Sequence, residues 1–162
     1  MPHLPLRSLA RDAVRDAWSR AVASGALPPS EPDTELPAVE VERPANPAHG
    51  DIATSLGLKL ARPYRRTPLE IARALAAELE RASAPGGGAL FASVDVAPPG
   101  FVNLRFADAA LEAVVAVVLD QPEGWGRVRA ATPLKVNVEF VSANPTGPLH
   151  IGNARGAFVG DL

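Results

Sequence analysis

The chain has 162 residues, 47% apolar and 21% charged, which supports one packed domain, or one plus a piece of another, and argues against global disorder. Lys and Arg total 16 against 18 Asp and Glu, a formal net charge of -2, so bulk charge gives no sign of a nucleic-acid partner and leaves only a local basic face open. Cysteine is absent, which excludes a disulfide scaffold, a thiolate metal site and a cysteine nucleophile.

The first segment, MPHLPLRSLARDAVRDAW, is broken by Arg7, Arg11, Asp12, Arg15 and Asp16 and so lacks the apolar core of a secretory signal. No run approaches the ~18 apolar residues of a membrane span. A soluble, cytoplasmic protein is the expectation. Leu6, Leu9, Ala13, Ala17 and Val22 recur at helical spacing, and Gly25 with Pro28 and Pro29 ends that helix. Residues 26–37 form a proline-rich connector.

AVEVERP alternates Val39 and Val41 with Glu40 and Glu42, the pattern of a short strand with one wet face. ANPAHGD is a turn, with Asp51 placed to cap a helix through IATSLGLKLA. Thr67-Pro68-Leu69-Glu70 is a capping box with proline at the first helical position, and Ile71, Leu75, Ala76 and Leu79 make the stripe of the helix it opens. After APGGGA, two alternating runs predict a hairpin: Leu90, Ala92, Val94 and Val96 on one face, Val102, Leu104 and Phe106 on another, with Pro99-Gly100 supplying the turn. Residues 108–120 read as a helix burying Leu111, Val114, Val115, Val118 and Leu119. There is no internal repeat, heptad array or low-complexity tract beyond three glycines.

This order predicts an α+β fold: a two-layer N-terminal domain over residues 1–120, with a mostly antiparallel sheet covered by helices. QPEGWGRVRAATP is a linker, 121–133, after which LKVNVEFVSAN reads as a strand and HIGNARGAFVGDL as the start of a helix. A strand, a glycine-containing turn and a helix open a Rossmann-type nucleotide-binding fold. The expectation for 134–162 is therefore the truncated start of a second, α/β domain.

Gly147 and Gly152 permit close backbone approach, and His150 falls in the first turn of the predicted helix, where free N–H groups and the dipole favour an anion. His150 and Asn153, three apart, share a helix face and could grip one phosphate together. Glu139, Ser142 and Asn144 cluster at the carboxyl end of the strand, where open α/β sheets place ligands. On these residues alone a plain glycine-rich turn stands beside the phosphate reading. A metal site is not expected, because His3, His49 and His150 are far apart and lack ligand spacing.

PLHIGN resembles the His-x-Gly-His motif of class I aminoacyl-tRNA synthetases, with Asn153 in place of the second histidine. The longer VEFVSANPTGPLHIGNARGAFVGD resembles the opening of the catalytic domain of arginyl-tRNA synthetases. VERPANPAHGDIATSLGLKLA and VDVAPPGFVNLRF are similar to that family's N-terminal additional domain. The resemblance implies an enzyme that activates L-arginine with ATP and Mg2+, without a tightly bound cofactor, and transfers it to tRNA(Arg). It implies arginine contacts for Glu139, Ser142 and Asn144. For His150, Gly152 and Asn153 it implies ATP contacts, His150 and Asn153 stabilising phosphate charge as the adenylate forms. Many members carry a lysine between the Asn and the His; PTGPL here has none. A monomer is expected, and the fragment alone is expected to be inactive.

For the N-terminal domain the resemblance implies contact with the outer corner of tRNA. Asn46 and His49, with Gly50 and Asp51, form the most distinctive polar patch, and Phe101, Asn103 and Arg105 line the outward face of a strand, where they could stack on or bond to splayed bases. Two duller alternatives stand: NPAHGD as a turn capping a helix, and Phe101 as partly core. Arg62, Arg65 and Arg66 around Tyr64 are either a grip on phosphate backbone or a solvated loop. A free-standing RNA-binding module would leave SANPTGPLHIGN unexplained, and another nucleotidylyl transferase would leave residues 38–106 unexplained.

Overall fold

The computed structural model describes residues 6–29, 34, 36–84, 87–120, 122–124, 132, 135, 137, 147–148 and 150–161, with backbone alone at 124, 153, 156, 160 and 161. The chain divides into two compact units, 1–125 and 126–162.

In the first unit the order is α1 (Leu6–Ala23), a short 3-10 turn (Pro47–His49), β1 (Ile52–Thr54), α2 (Leu56–Tyr64), α3 (Pro68–Leu79), β2 (Phe91–Ala97), β3 (Phe101–Phe106) and α4 (Asp108–Asp120). The sheet is antiparallel with order β1-β3-β2, so the last strand made is the central one. One face of the sheet packs against helices: Ile52, Thr54, Val102, Leu104 and Phe106 are buried there with α2 and α3. The α+β, antiparallel, one-side-covered architecture expected for this part of the chain is what forms. Among the described residues no helix is long and apolar enough to cross a membrane.

α3 follows the sequence closely. Thr67 Oγ1 accepts from the Glu70 N–H at 3.4 Å, and Glu70 Oε2 accepts from the Thr67 N–H at 3.0 Å and from its hydroxyl at 2.6 Å. Ile71, Leu75, Ala76 and Leu79 are all buried. The Thr67 hydroxyl and N–H hold the Glu70 carboxyl below its ordinary pKa, with smaller help from Arg66 and Arg73. A carboxyl depressed by folding stabilises fully above its unfolded pKa, and that support is lost as the pH falls through the folded value. Thr67→Ala is expected to cost about 1 kcal/mol in chemical denaturation. The same variant should return the Glu70 titration, followed by NMR, toward the ordinary glutamate range; an unmoved titration would reject the box as its cause.

α1 lies against α3 through a different stripe from the one its larger residues suggest. Ala10, Val14, Ala17 and Ala21 are fully buried, whereas Leu6, Ala13 and Val22 are only partly so. Small side chains let two helix backbones approach closely, so the alanines take the contact line. The pair is tied by Glu78 of α3, buried at 7% exposure, which accepts from Arg20 at 3.2 Å and Arg81 at 2.8 Å.

Four other expectations are corrected. The strand over 38–44 reduces to a single bridge, Glu42 with Ala53, because Thr54 Oγ1 donates to the Glu40 carbonyl at 2.8 Å and holds that segment while Val41 turns into the core. Asp51 caps no helix: residues 52–54 are strand β1, and its Oδ2 accepts from the Phe106 N–H at 3.0 Å. The hairpin forms, with a cis peptide between Pro98 and Pro99, but a bulge between Phe91 and Ser93 puts Phe91 inward and Ala92 outward. Helix α4 forms over its predicted span, yet only Ala110 is buried; Leu111, Val115 and Leu119 are exposed. An apolar stripe states what a helix needs covered, not whether this unit covers it.

In the second unit α5 spans Ile151–Asp161, where a helix start is expected. The expected strand over LKVNVEFVSAN falls largely outside the described residues.

Candidate nucleic-acid interface

The uncovered face of the sheet follows from strand alternation. With Val102, Leu104 and Phe106 in the core, Phe101, Asn103 and Arg105 must face the other way. Their cross-strand neighbours on that face are small or polar: Ala97 opposite Phe101, Ala53 and Asp95 opposite Asn103, Ser93 opposite Arg105. Phe101 keeps 37% of its surface in solvent, so the outward reading of this aromatic stands over the core one.

NPAHGD is built mainly to hold this face in place. Asn46 Oδ1 accepts from the Ala48 N–H at 3.0 Å and caps the 3-10 turn. Gly50 has φ +94, and a Cβ there would sit 2.6 Å from the Leu104 carbonyl oxygen. No side chain fits between the turn and β3. The Asp51 N–H donates to that same carbonyl at 2.9 Å, while the Asp51 carboxylate takes the Phe106 N–H at 3.0 Å. The turn thus caps the end of a strand rather than a helix, and it leaves His49 exposed beside the sheet.

Asn46, His49, Phe101 and Asn103 line a single open cleft of about 540 Å³. Residues distant in sequence and singled out separately are therefore brought together. Arg105 lies on the neighbouring side, its guanidinium donating to the Pro47 carbonyl at 3.5 Å and lining a second cleft. Glu40 and Glu42 also line the first cleft, Glu40 in an ion pair with Lys59, so its electrostatics are mixed. Arg43 lines both clefts, and sequence reasoning passed over it. Its only signal is its position between the Val39–Val41 alternation and the Asn-Pro turn.

In the Arg62, Arg65, Arg66 and Tyr64 cluster the tyrosine has a packing role while the three arginines stay exposed. Tyr64 is buried and its hydroxyl accepts from Trp18 Nε1 at 2.8 Å, Arg65 ends α2 in the left-handed conformation, and Arg66 donates to the Ala26 carbonyl at 2.9 Å.

In the second unit His150 precedes α5 and caps it. Its Nδ1 accepts from the Gly152 N–H at 3.1 Å, and its carbonyl accepts from the Ala154 N–H at 3.3 Å. Asn153 lies in the first turn of α5 by its backbone. Glu139, Ser142 and Asn144 lie outside the described residues. Among the described residues no group of three or more His, Asp or Glu could hold a metal.

Comparison with known proteins bears on this geometry. The family described as the arginyl tRNA synthetase N terminal domain matches residues 8–106, which end with β3. An arginine–tRNA ligase of Bordetella avium (strain 197N) is 48% identical over 143 residues, 88% of this chain and 24% of that protein. One from Jannaschia sp. (strain CCS1) is 45% identical over 151 residues, 93% of this chain and 25% of that protein. The solved Thermus thermophilus arginyl-tRNA synthetase aligns at 27% identity with a TM-score of 0.42, covering 93% of this chain and 22% of that one. The chain spans about a quarter of the length of the curated relatives it matches.

Proposed function

The chain belongs to the arginyl-tRNA synthetase N-terminal domain family, and from that premise we propose that it is the N-terminal part of an arginine–tRNA ligase whose first domain holds tRNA(Arg). The whole enzyme would activate L-arginine with ATP, releasing pyrophosphate, and then esterify the tRNA. The observation that carries the RNA-binding part is the convergence of Asn46, His49, Phe101 and Asn103 on one cleft at the uncovered face of the sheet. An exposed aromatic flanked by amide and imidazole groups offers a base both a stacking surface and hydrogen bonds to its edge.

The division of labour we propose is 1–120 for tRNA contact, 121–133 as linker, and 134–162 as the start of a Rossmann-type catalytic domain. There Glu139, Ser142 and Asn144 would meet arginine, the Glu139 carboxylate suiting a cationic substrate, while His150, Gly152 and Asn153 would meet ATP. The described geometry supports one role for His150. Nδ1 accepts from the Gly152 N–H, which holds the imidazole at the start of α5, where an anion such as a phosphate is favoured. Mg2+ would enter with the ATP phosphates, and the enzyme would act in the cytoplasm as a monomer.

Two measurements test this. The 162-residue chain should bind unfractionated tRNA in fluorescence anisotropy, and Phe101→Ala should weaken binding about tenfold, within the ~1–3 kcal/mol expected for one base stacked on an aromatic ring. The full-length gene product, assayed with tRNA present, should exchange pyrophosphate into ATP with arginine and with no other amino acid. The 162-residue chain alone should give none, since one strand and one helix cannot enclose ATP. Exchange by the full-length product with lysine or glutamate instead of arginine would overturn the substrate reading.

A further inference from the structure

We propose that the second cleft, between the start of α1 and the end of β3, is a phosphate-backbone site for RNA, with Arg43 as its principal contact and Arg7 and Arg105 as its walls. The proposal rests on the RNA-binding reading above and adds to it a separate point of attachment with a different chemistry. The cleft has a volume of about 500 Å³ and is lined by these three arginines and one carboxylate, Asp51. In a chain of net charge -2, an open cleft with three cations to one anion is a local feature and not a reflection of composition.

How the arginines are held matters more than their number. Arg15 is paired with Asp12, and Arg20 and Arg81 share Glu78, so two carboxylates offset part of the charge of these three. Arg7 and Arg105 are anchored instead by neutral backbone carbonyls: Arg7 Nε donates to the Val41 carbonyl at 3.0 Å, and Arg105 to that of Pro47 at 3.5 Å. A carbonyl fixes the side chain and leaves the positive charge uncancelled, with most of the guanidinium N–H groups still able to donate. Asp51 Oδ2 accepts from the Phe106 N–H, which turns that oxygen to the backbone while the carboxylate keeps its charge, so the cleft holds three cations to one anion. Arg43 is exposed and makes no side-chain hydrogen bond or ion pair among the described residues. A planar guanidinium in that condition matches a phosphate bidentately.

Arg43 and Pro44 line both clefts. A strand of RNA whose base stacks on Phe101 in the first would bring its adjoining phosphate to Arg43 at the border with the second. The first cleft, which holds Glu40 and Glu42, is poorly suited to a phosphate, and the second carries no exposed aromatic for a base. The two are complementary halves of one nucleotide-binding surface.

The experiment measures tRNA affinity of the 162-residue chain by anisotropy across about 50 to 200 mM salt, for wild type, Arg43→Ala, Arg43→Lys, Arg43→Glu and Phe101→Ala. Each phosphate contact contributes ~0.7–0.9 to the slope of log affinity against log salt. Arg43→Ala should reduce the slope by about one contact, Arg43→Lys should restore most of it, and Arg43→Glu should weaken binding further. Phe101→Ala should lower affinity and leave the slope unchanged. The variants should melt with wild type, since Arg43 supports nothing in the fold. If wild type binds tRNA and Arg43→Ala leaves affinity and slope unaltered, the phosphate site is wrong while the RNA reading survives. If wild type does not bind tRNA, the RNA reading itself falls, and this proposal with it.

Discussion

Gly50→Ala should lower the unfolding free energy by roughly 2–6 kcal/mol, two causes adding. A φ of +94 with ψ of -168 is a conformation that side chains rarely adopt, costing about 1–3 kcal/mol. The added Cβ would also sit 2.6 Å from a backbone carbonyl oxygen of β3, and relieving such a contact by moving main chain costs about 1–3 kcal/mol more. Gly25→Ala is the control that separates them. Gly25 also has positive φ, +77, but a Cβ there meets nothing within 4 Å, so only the strain of about 1–2 kcal/mol applies. Urea unfolding of both variants measures the difference; equal losses would show that the tight approach of the turn to β3 is not what demands glycine.

Leu104→Ala should cost about 2–5 kcal/mol, the range for emptying a fully buried leucine site. Leu104 is 0% exposed, sits on the central strand, and is paired with Ile52 on one side and Val94 on the other. α2 and α3 cover the sheet and cannot collapse into the hole without disturbing it. Phe101, three residues earlier, is the matched contrast on the opposite face. Its truncation should leave the melting curve nearly unchanged and weaken tRNA binding about tenfold, whereas Leu104→Ala should reduce stability and leave affinity intact at temperatures where the fold persists. A stability loss at Phe101 as large as that at Leu104 would mean that the face described as open is core.

What the sequence reveals depends on how local the determining physics is. α3 is legible because its start signal and its stripe lie within one short segment, Thr67 through Leu79, and both need only that segment. β3 is legible for the same reason, and with it the outward placing of Phe101, Asn103 and Arg105. The stripe of α1 is legible only at Ala17, because its other members, Ala10, Val14 and Ala21, are chosen by how near α3 can come, a property of two helices. Asp51 is misread because its partner, the Phe106 N–H, lies on a strand over fifty residues away, and nothing nearby announces it. Arg43 escapes notice because a lone arginine becomes a site only when the fold brings Arg7 and Arg105 beside it. Of the residues assigned to arginine and ATP, the described ones are His150, Gly152 and the backbone of Asn153.

The placing of β3 between β1 and β2 also orders events during synthesis. Ile52 leaves the ribosome long before Leu104, the residue it must pair with, and at ~5–20 residues per second β1 waits seconds for a partner. α1 and α3 can pack together in that interval, since both are complete by Leu79, and Glu78 can already meet Arg20. The helical layer is thus available as a template before the sheet exists. The β2–β3 hairpin joins residues that are neighbours in the chain, whereas β1 reaches its place on the far edge of β3 only through a long-range pairing. The first strand translated is thus the one that must wait for its partner, and Ala53 can pair with Asn103 only once β3 has been made.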